Sequence, residues 1–338
     1  MPTLNGTVLS LLDHAKRLSP NGKVEKIAEL LSQNNTILND MQWVEGNLPT
    51  GHRTTVRTGL PTVAWRLLNG GVATSKSTTA QIDEQCGMLE AWSEVDKDLA
   101  ELNGNVSAFR LSEASAFIES MNQEMASTLF YGNSGTAPEE FTGLAPRYST
   151  ISGATNGENV LNGNGSGSDN SSIWLVVWGP QTVHGIYPKG SMAGLIHENL
   201  GLCTIESTGG IGSGTRMRAY RDHWQWKCGI ALRDWRYVVR IANIDVSDLV
   251  AQTSAANLVE LMIKAIHRIP GDNPFAMGRP AFYMNRSVFQ MLDIQRRADV
   301  IAGGGLTYEM VDGRMTPTFR GIPVRKCDAL TEAEATIS

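Results

Sequence analysis

Residues 46–85 read GNLPTGHRTTVRTGLPTVAWRLLNGGVATSKSTTAQIDEQ. Gly46, Pro49, Gly51, Gly59, Pro61, Gly70 and Gly71 punctuate the stretch. Between them lie β-prone runs, Arg53-Thr54-Thr55-Val56-Arg57-Thr58 and Thr74-Ser75-Lys76-Ser77-Thr78-Thr79. Strand formers dominate, yet large apolar residues are few: Trp65, Leu67, Leu68 and some valines. A two-stranded hairpin with so little to bury is hardly stable alone in water. It must lie on its own body or complete its burial on another chain, and free strand edges suit it to a neighbour. The glycines at 46, 51, 70 and 71 are expected to act as hinges.

The flanks of this hairpin are of two kinds. Residues 1–45 read as an extended arm with short helices. Leu9, Leu11 and Leu12 form one small apolar cluster. Val24, Ile27, Leu30 and Leu31 fall at helical spacing after the breaker Pro20-Asn21-Gly22. A helix that short must dock on something. On the other side, Leu111, Ala114, Ile118, Met121, Met125 and Leu129 step by 3, 4, 3, 4 and 4, one face of a helix over 111–131. Ser112 is the expected N-cap, with Glu113 at the positive dipole end, and Gly132 is the stop. At ~1.5 Å per residue this spine is about 30 Å long. Ile118 is expected inside, so that Ile118→Asp would unfold the chain.

Residues 152–172 contain five Gly, five Asn and five Ser among 21, which predicts a mobile connector. From 173 the chain is strand-rich, with strands expected at Ile173–Trp178, Gly201–Thr208, Met217–Ala231 and Asp234–Ile244. A helix from Ser254 carries Leu258, Leu261, Met262, Ala265 and Ile269 on one face and stops at Pro270-Gly271. A second, from Asn285, carries Phe289 and Leu292 and ends with Arg296-Arg297. Gly303-Gly304-Gly305 then breaks the chain, and Phe319–Val324 reads as a closing strand.

Composition removes several functions. The 338 residues allow about two compact units. Lys plus Arg is 29 against 34 for Asp plus Glu, a net −5, which excludes a strongly basic nucleic-acid binder. The longest strictly apolar run, Ile173 to Trp178, falls far short of the ~20 residues that cross a bilayer, so no membrane is expected. No basic-then-apolar leader opens the chain. Cys86, Cys203, Cys228 and Cys327 make no C-x-x-C pair and read as reduced thiols of a cytosolic compartment.

Catalytic constellations are missing from the pattern. Gly210–Gly214 and Gly163–Gly167 are G-x-G-x-G strings without the strand, helix and distant acid of a dinucleotide site. Gly71–Ser77 has Lys-Ser but lacks the glycine that wraps a phosphate. There is no G-x-S-x-G. None of the six histidines has another at i, i+4. Glu139-Glu140 reads as solvated surface. Arg233, Arg236 and Arg240, with Asp234, could bridge subunits or pair within the chain. No catalytic, cofactor or metal residue is assigned, and no enzyme is expected.

The order of parts resembles the major capsid proteins of tailed bacteriophages, the Hong Kong 97-type fold, in its podovirus-like branch. Tyr131-Gly132-Asn133 followed by Phe141-Thr142-Gly143-Leu144-Ala145 resembles the family's step out of the spine helix. Trp226 to Ile241 resembles its central strands, and Phe319-Arg320-Gly321-Ile322-Pro323-Val324 its closing strand. The resemblance implies an α+β fold: N-terminal arm 1–45, extended hairpin loop 46–85, peripheral domain 86–151 and 306–338 with the spine helix, and axial domain 152–305.

The function so implied is an icosahedral shell around a double-stranded DNA genome, assembled in the host cytoplasm and found in the virion. Copies of the chain would form hexamers and pentamers. A separate scaffolding protein is implied, because no N-terminal scaffold segment fits ahead of the hairpin. A portal protein at one vertex, a possible decoration protein, and DNA held only by non-specific contact complete the partners. Candidate inter-subunit contacts are Arg53, Arg57, Trp65, Arg66, Lys76, Arg233, Arg236 and Arg240. Repeated weak contacts on a closed lattice suit such a shell. The alternatives are an encapsulin-like nanocompartment around a cargo protein and, more distantly, a hydrolase.

Overall fold

A computed structural model describes Leu9, Asp13 and residues 31–102, 104–153, 155–206, 216–271, 275–298, 306–311 and 314–338. Leu11, Leu12, Val24, Ile27, Leu30 and the glycine runs at 210–214 and 303–305 lie outside the described residues. The chain opens with α1 (Ile37–Asp40), β1 (Trp43–Glu45), β2 (Gly51–Gly59), β3 (Thr78–Gln85) and β4 (Gly87–Asp96). Then come α2 (Lys97–Glu101), the spine helix α3 (Val106–Tyr131), β5 (Val160–Asn162), β6 (Asn170–Trp178) and β7 (Val183–Tyr187). The long strands β8 (Leu195–Glu206) and β9 (Arg216–Leu232) precede β10 (Val238–Asp245), α4 (Val246–Ala251) and α5 (Leu258–Arg268). The chain closes with β11 (Arg279–Met284), α6 (Arg286–Ala298), β12 (Leu306–Val311), β13 (Arg314–Phe319) and β14 (Ile322–Lys326).

β6 organises this list. Its side chains alternate across the sheet, and both faces are buried. Ile173, Leu175 and Val177 enter one core with Val239, Ile241, the apolar faces of α5 and α6, and Phe319, Ile322 and Val324. Trp174, Val176 and Trp178 enter the other with Met125, Leu129 and Phe130 of the spine helix and with Phe141, Leu144 and Tyr148. Helices above and below make the continuous apolar run a central strand. Among the described residues, one twelve-stranded sheet runs in the order β12-β13-β14-β11-β6-β7-β9-β4, with β10 on β6 and β8 on β9. β9 pairs along β4 from Cys228 to Ala219, then crosses to β7 from Gly229 to Leu232. β12 to β14 extend the sheet of β6 and β11, whereas the following tail reaches the end of the spine helix.

The spine helix starts earlier than expected and is turned. It covers 26 residues from Val106 and is capped by Asn105, whose side chain accepts from the Ala108 amide, rather than by Ser112. Its inner face carries Phe109, Met121, Met125, Ala126, Leu129 and Phe130. Leu111 is 72% exposed and Ile118 45%. Phe117 goes to the sheet instead, stacked on Trp224 with 5.3 Å between ring centroids. Adjacent helical residues point about 100° apart, so exchanging Phe117 for Ile118 rotates the whole upper face. Ile118 lines an open cleft with Leu38 and Trp226.

Other expectations are amended in detail. The Gly/Asn/Ser stretch is not a loose connector: its Gly163 and Gly165 amides donate to the Ala242 and Asn243 carbonyls at 2.7 and 2.8 Å, and Asn170, Ser171 and Ser172 are buried. The helix expected from Ser254 begins at Leu258, capped by Asn257. Asp234 receives the Arg236 amide and forms a short 3-10 turn before β10. The closing strand is a hairpin turn: β13 ends at Phe319, Arg320 and Gly321 take positive φ, and β14 starts at Ile322.

A buried ion pair ties the tail to the sheet. Arg240 Nη2 donates to Glu334 Oε2 at 2.8 Å, with both side chains 5% exposed. Tyr131 donates to Glu334 Oε1 at 2.6 Å, and Ser172 donates to Oε2. Arg240 also donates to Ser172 Oγ and the Tyr148 carbonyl. Removing one member leaves a buried charge alone. Glu334→Ala is therefore expected to cost about 3–5 kcal/mol. Leu129→Ala should cost about 2–5 kcal/mol, and Ile118→Ala under about 1 kcal/mol. Urea titrations of the purified subunit check this ranking; an Ile118 variant as damaged as the Leu129 variant would reverse the face assignment.

Candidate intersubunit surface

The hairpin is a ladder from Gly51↔Gln85 at its root to Gly59↔Thr78, with residues 60–77 as its tip. The tip contains no regular strand: Gly70 donates to the Leu67 carbonyl, and the Ser75 hydroxyl closes on the Thr62 carbonyl at 2.7 Å. Thr74 to Ser77, expected in a strand, belong to this loop. Leu60, Val63, Trp65, Leu67 and Leu68 are all more than 80% exposed, and Trp65 is fully so. Exposed apolar clusters of this kind mark interaction surfaces.

The root is built differently. The Glu84 carboxylate, at the end of β3, receives both Arg147 Nη atoms at 2.6 Å, and this pair is largely buried. Arg147 also donates to the Gly143 and Thr142 carbonyls, fixing the loop after the spine helix to the hairpin. A Cβ at Gly51 would lie 2.0 Å from the Glu84 carbonyl, so this glycine permits close strand approach rather than acting as a hinge. Half-buried His52 meets buried His184 of β7 edge to face, 5.7 Å between centroids. The root is anchored; the tip is not.

The named candidates divide accordingly. Arg53 pairs bidentately with Asp83 across the ladder at 2.6 Å, both about half exposed. Arg57, Trp65, Arg66 and Lys76 are exposed on the hairpin. Arg233 donates to the Pro180 carbonyl at 3.0 Å. Exposed Arg236 pairs within its turn with Asp234 at 2.7 Å. Arg240 is corrected: it is buried against Glu334 and cannot present itself to a neighbour. The intrachain reading holds there because its partner, 94 residues later, folds back under the sheet. Sequence reasoning missed the root pair Glu84 and Arg147, 63 residues apart. No local spacing signals either pair.

Among the described residues no group of three or more His, Cys, Asp or Glu side chains could hold a metal, and no helix is long and apolar enough to cross a membrane. All four cysteines are free. The family model for major capsid protein GP7 matches residues 19–338.

The chain belongs to this family of major capsid proteins. It is 33% identical to a chain in the structure of bacteriophage Epsilon15, over 100% of this chain and 99% of that one, with a TM-score of 0.77. The capsid of the native GTA particle is 9% identical, covers 70% of this chain and 99% of its own, and has a TM-score of 0.43. A holo encapsulin complex from Synechococcus elongatus is 11% identical over 70% of this chain and 96% of its own, with a TM-score of 0.41. The last two are too distant to bear on function. No curated protein matches. The phage capsid protein thus has the Hong Kong 97-type fold, builds a shell from copies of itself, and is a component of the virion capsid. The family match favours this over the encapsulin-like alternative.

The histidine pair is expected to make the capsid protein's hairpin root sensitive to acid. Burial draws His184 down to about 4, with His52 and Arg233 adding to the effect and the Gly179 backbone opposing it. Burial and Arg233 also lower His52, against Glu84. A depressed histidine binds its proton less readily when folded. Its contribution is present above pH ~6.5 and lost as pH falls towards 4. His184 alone should remove roughly 3 kcal/mol of stability over that window. Urea unfolding at pH 7, 5.5 and 4 should show this slope, and His184→Phe should flatten it; equal slopes would exclude the pair as its source.

Proposed function

We propose that the hairpin tip is the element by which this capsid protein joins its copies into hexamers and pentamers. One observation carries the reading: five large apolar side chains between Leu60 and Leu68 stand in solvent on a ribbon anchored only at its root. Their burial would contribute about 8–15 kcal/mol before the losses of ordering and association. Arg53, Arg57, Trp65, Arg66, Lys76, Arg233 and Arg236 are the contact residues proposed. Arg57, Arg66 and Lys76 give the tip a charge opposite to that of the whole chain, which steers its approach to an acidic neighbour.

The subunit has a structural role and no catalytic one. It assembles in the host cytoplasm with a separate scaffolding protein, a portal at one vertex and, in the finished head, a possible decoration protein. The packaged DNA is touched only non-specifically. The net charge of −5 supports this, since it does not favour adsorption of a polyanion. The four-unit division, arm 1–45, hairpin 46–85, peripheral and axial, remains the working scheme.

Replacing residues 60–77 with a short turn should leave the body folded, with an unchanged circular dichroism melt. No closed particles should then appear by negative-stain microscopy when the variant is expressed with its neighbouring phage genes. Particles at wild-type yield would remove the hairpin from assembly.

A further inference from the structure

The hairpin root gathers buried polar atoms that nothing among the described residues satisfies. His184 of β7 is 1% exposed, and neither of its ring nitrogens has a hydrogen-bond partner there. The Gly179 backbone acts on it from outside hydrogen-bond geometry. His52 of β2, which meets His184 edge to face, has a buried and equally unpartnered Nδ1. Thr54 lies two residues along β2, on the same side of the strand, and its buried hydroxyl is unpartnered as well. Native interiors leave few such groups unsatisfied, so several of them at one joint call for an ion or a water to bind them.

Neutral imidazole is the commonest metal ligand among side chains. The two rings have centroids 5.7 Å apart and planes at 79°. An ion ~2.0–2.1 Å from one nitrogen of each ring stands roughly 3.2 Å from each centroid. The observed 5.7 Å then corresponds to a nitrogen–metal–nitrogen angle of about 125°. That angle suits the tetrahedral habit of zinc better than the right angles of a square-planar or octahedral ion. Half-buried His52 gives the ion its way in from solvent. Burial holds both rings in the neutral form that binds metal. Arg233 opposes a cation at both rings, and Glu84 favours one at His52, although its carboxylate already receives both Arg147 Nη atoms. No third His, Cys, Asp or Glu completes the group among the described residues, so water takes the remaining coordination positions.

We infer that His52 and His184 form a two-histidine site for a zinc-like divalent ion, which staples the hairpin root to β7. The ion joins a strand of the hairpin to a strand of the body, beside the Glu84–Arg147 pair that fixes the root to the loop after the spine helix. Its binding free energy adds to the stability of that joint, because the unfolded chain holds no such preformed pair. The two ligands are distant in sequence and lie on separate elements, so no ligand spacing announces them. The site involves no residue of the tip and stands whether or not the tip joins copies of the chain.

Zn²⁺ added to the whole purified chain, stripped beforehand with EDTA, tests the site. At about a hundredfold excess over its dissociation constant, the ion should raise the melting temperature by roughly 5 °C, and EDTA should reverse the shift. Co²⁺, which occupies tetrahedral zinc sites and absorbs visible light, should give visible bands without the near-ultraviolet charge-transfer band of a thiolate. That pattern separates the histidines from the four free cysteines. His184→Phe and, independently, His52→Ala should abolish both the shift and the bands. His267→Ala, at an exposed position of α5, should keep both. Should His184→Phe fail to fold, His52→Ala alone decides. A chain that melts at one temperature with and without Zn²⁺, or a shift that survives His52→Ala, overturns the site and leaves the unpartnered nitrogens to buried water.

Discussion

Two-sided burial of β6 is the constraint on which the molecule turns. A strand whose odd and even side chains are both sealed must have helices or loops on each face. The spine helix closes one side through Met125 and Leu129, and α5 and α6 close the other through Leu258, Met262, Val288 and Leu292. β10 and β11 are its ladder partners. The apolar content of the chain concentrates around this strand, and little of it is left to hold the hairpin down. An anchored body with an uncovered ribbon is the outcome of that distribution.

Polar groups fix what apolar packing leaves loose. The Glu84–Arg147 pair sets the hairpin root against the loop after the spine helix, and Arg240–Glu334 sets the tail against the sheet. Each pair is bound by further donors and carbonyls, which offsets the desolvation that a buried ion pair requires. The same economy of contact appears at His52 and His184, where an uncharged pair packs at the root. The parts that must stay fixed relative to one another are thus held by groups with one geometry, whereas the tip has no such partner among the described residues.

Much of this is visible in the residues. The run from Ile173 to Trp178 is too apolar for a half-solvated strand, and the steps from Met121 to Leu129 describe a real helical face. The excess of Thr and the scarcity of large apolar groups in the hairpin foretell a ribbon without a core of its own. Three features are not legible because they depend on distant partners. Phe117 replaces Ile118 on the inner face only because Trp224 is there to stack on it. The Gly/Asn/Ser stretch is ordered by backbone bonds to Asn243, which composition does not reveal. Arg240 reads like its neighbours Arg233 and Arg236 until Glu334 is placed beside it.

The placement of Glu334 bears on how the chain is made. Arg240 leaves the ribosome 94 residues before the carboxylate that neutralises it, an interval of roughly 5–20 s at ordinary rates of synthesis. Throughout that interval β6 and β10 are made without the anion that seals them, and β11, the other ladder partner of β6, is still to come. A fragment ended early by translation failure never acquires that anion. The locked arrangement of sheet and tail therefore belongs only to a chain extended through Glu334, since before that point the Arg240 guanidinium has no anion beside it.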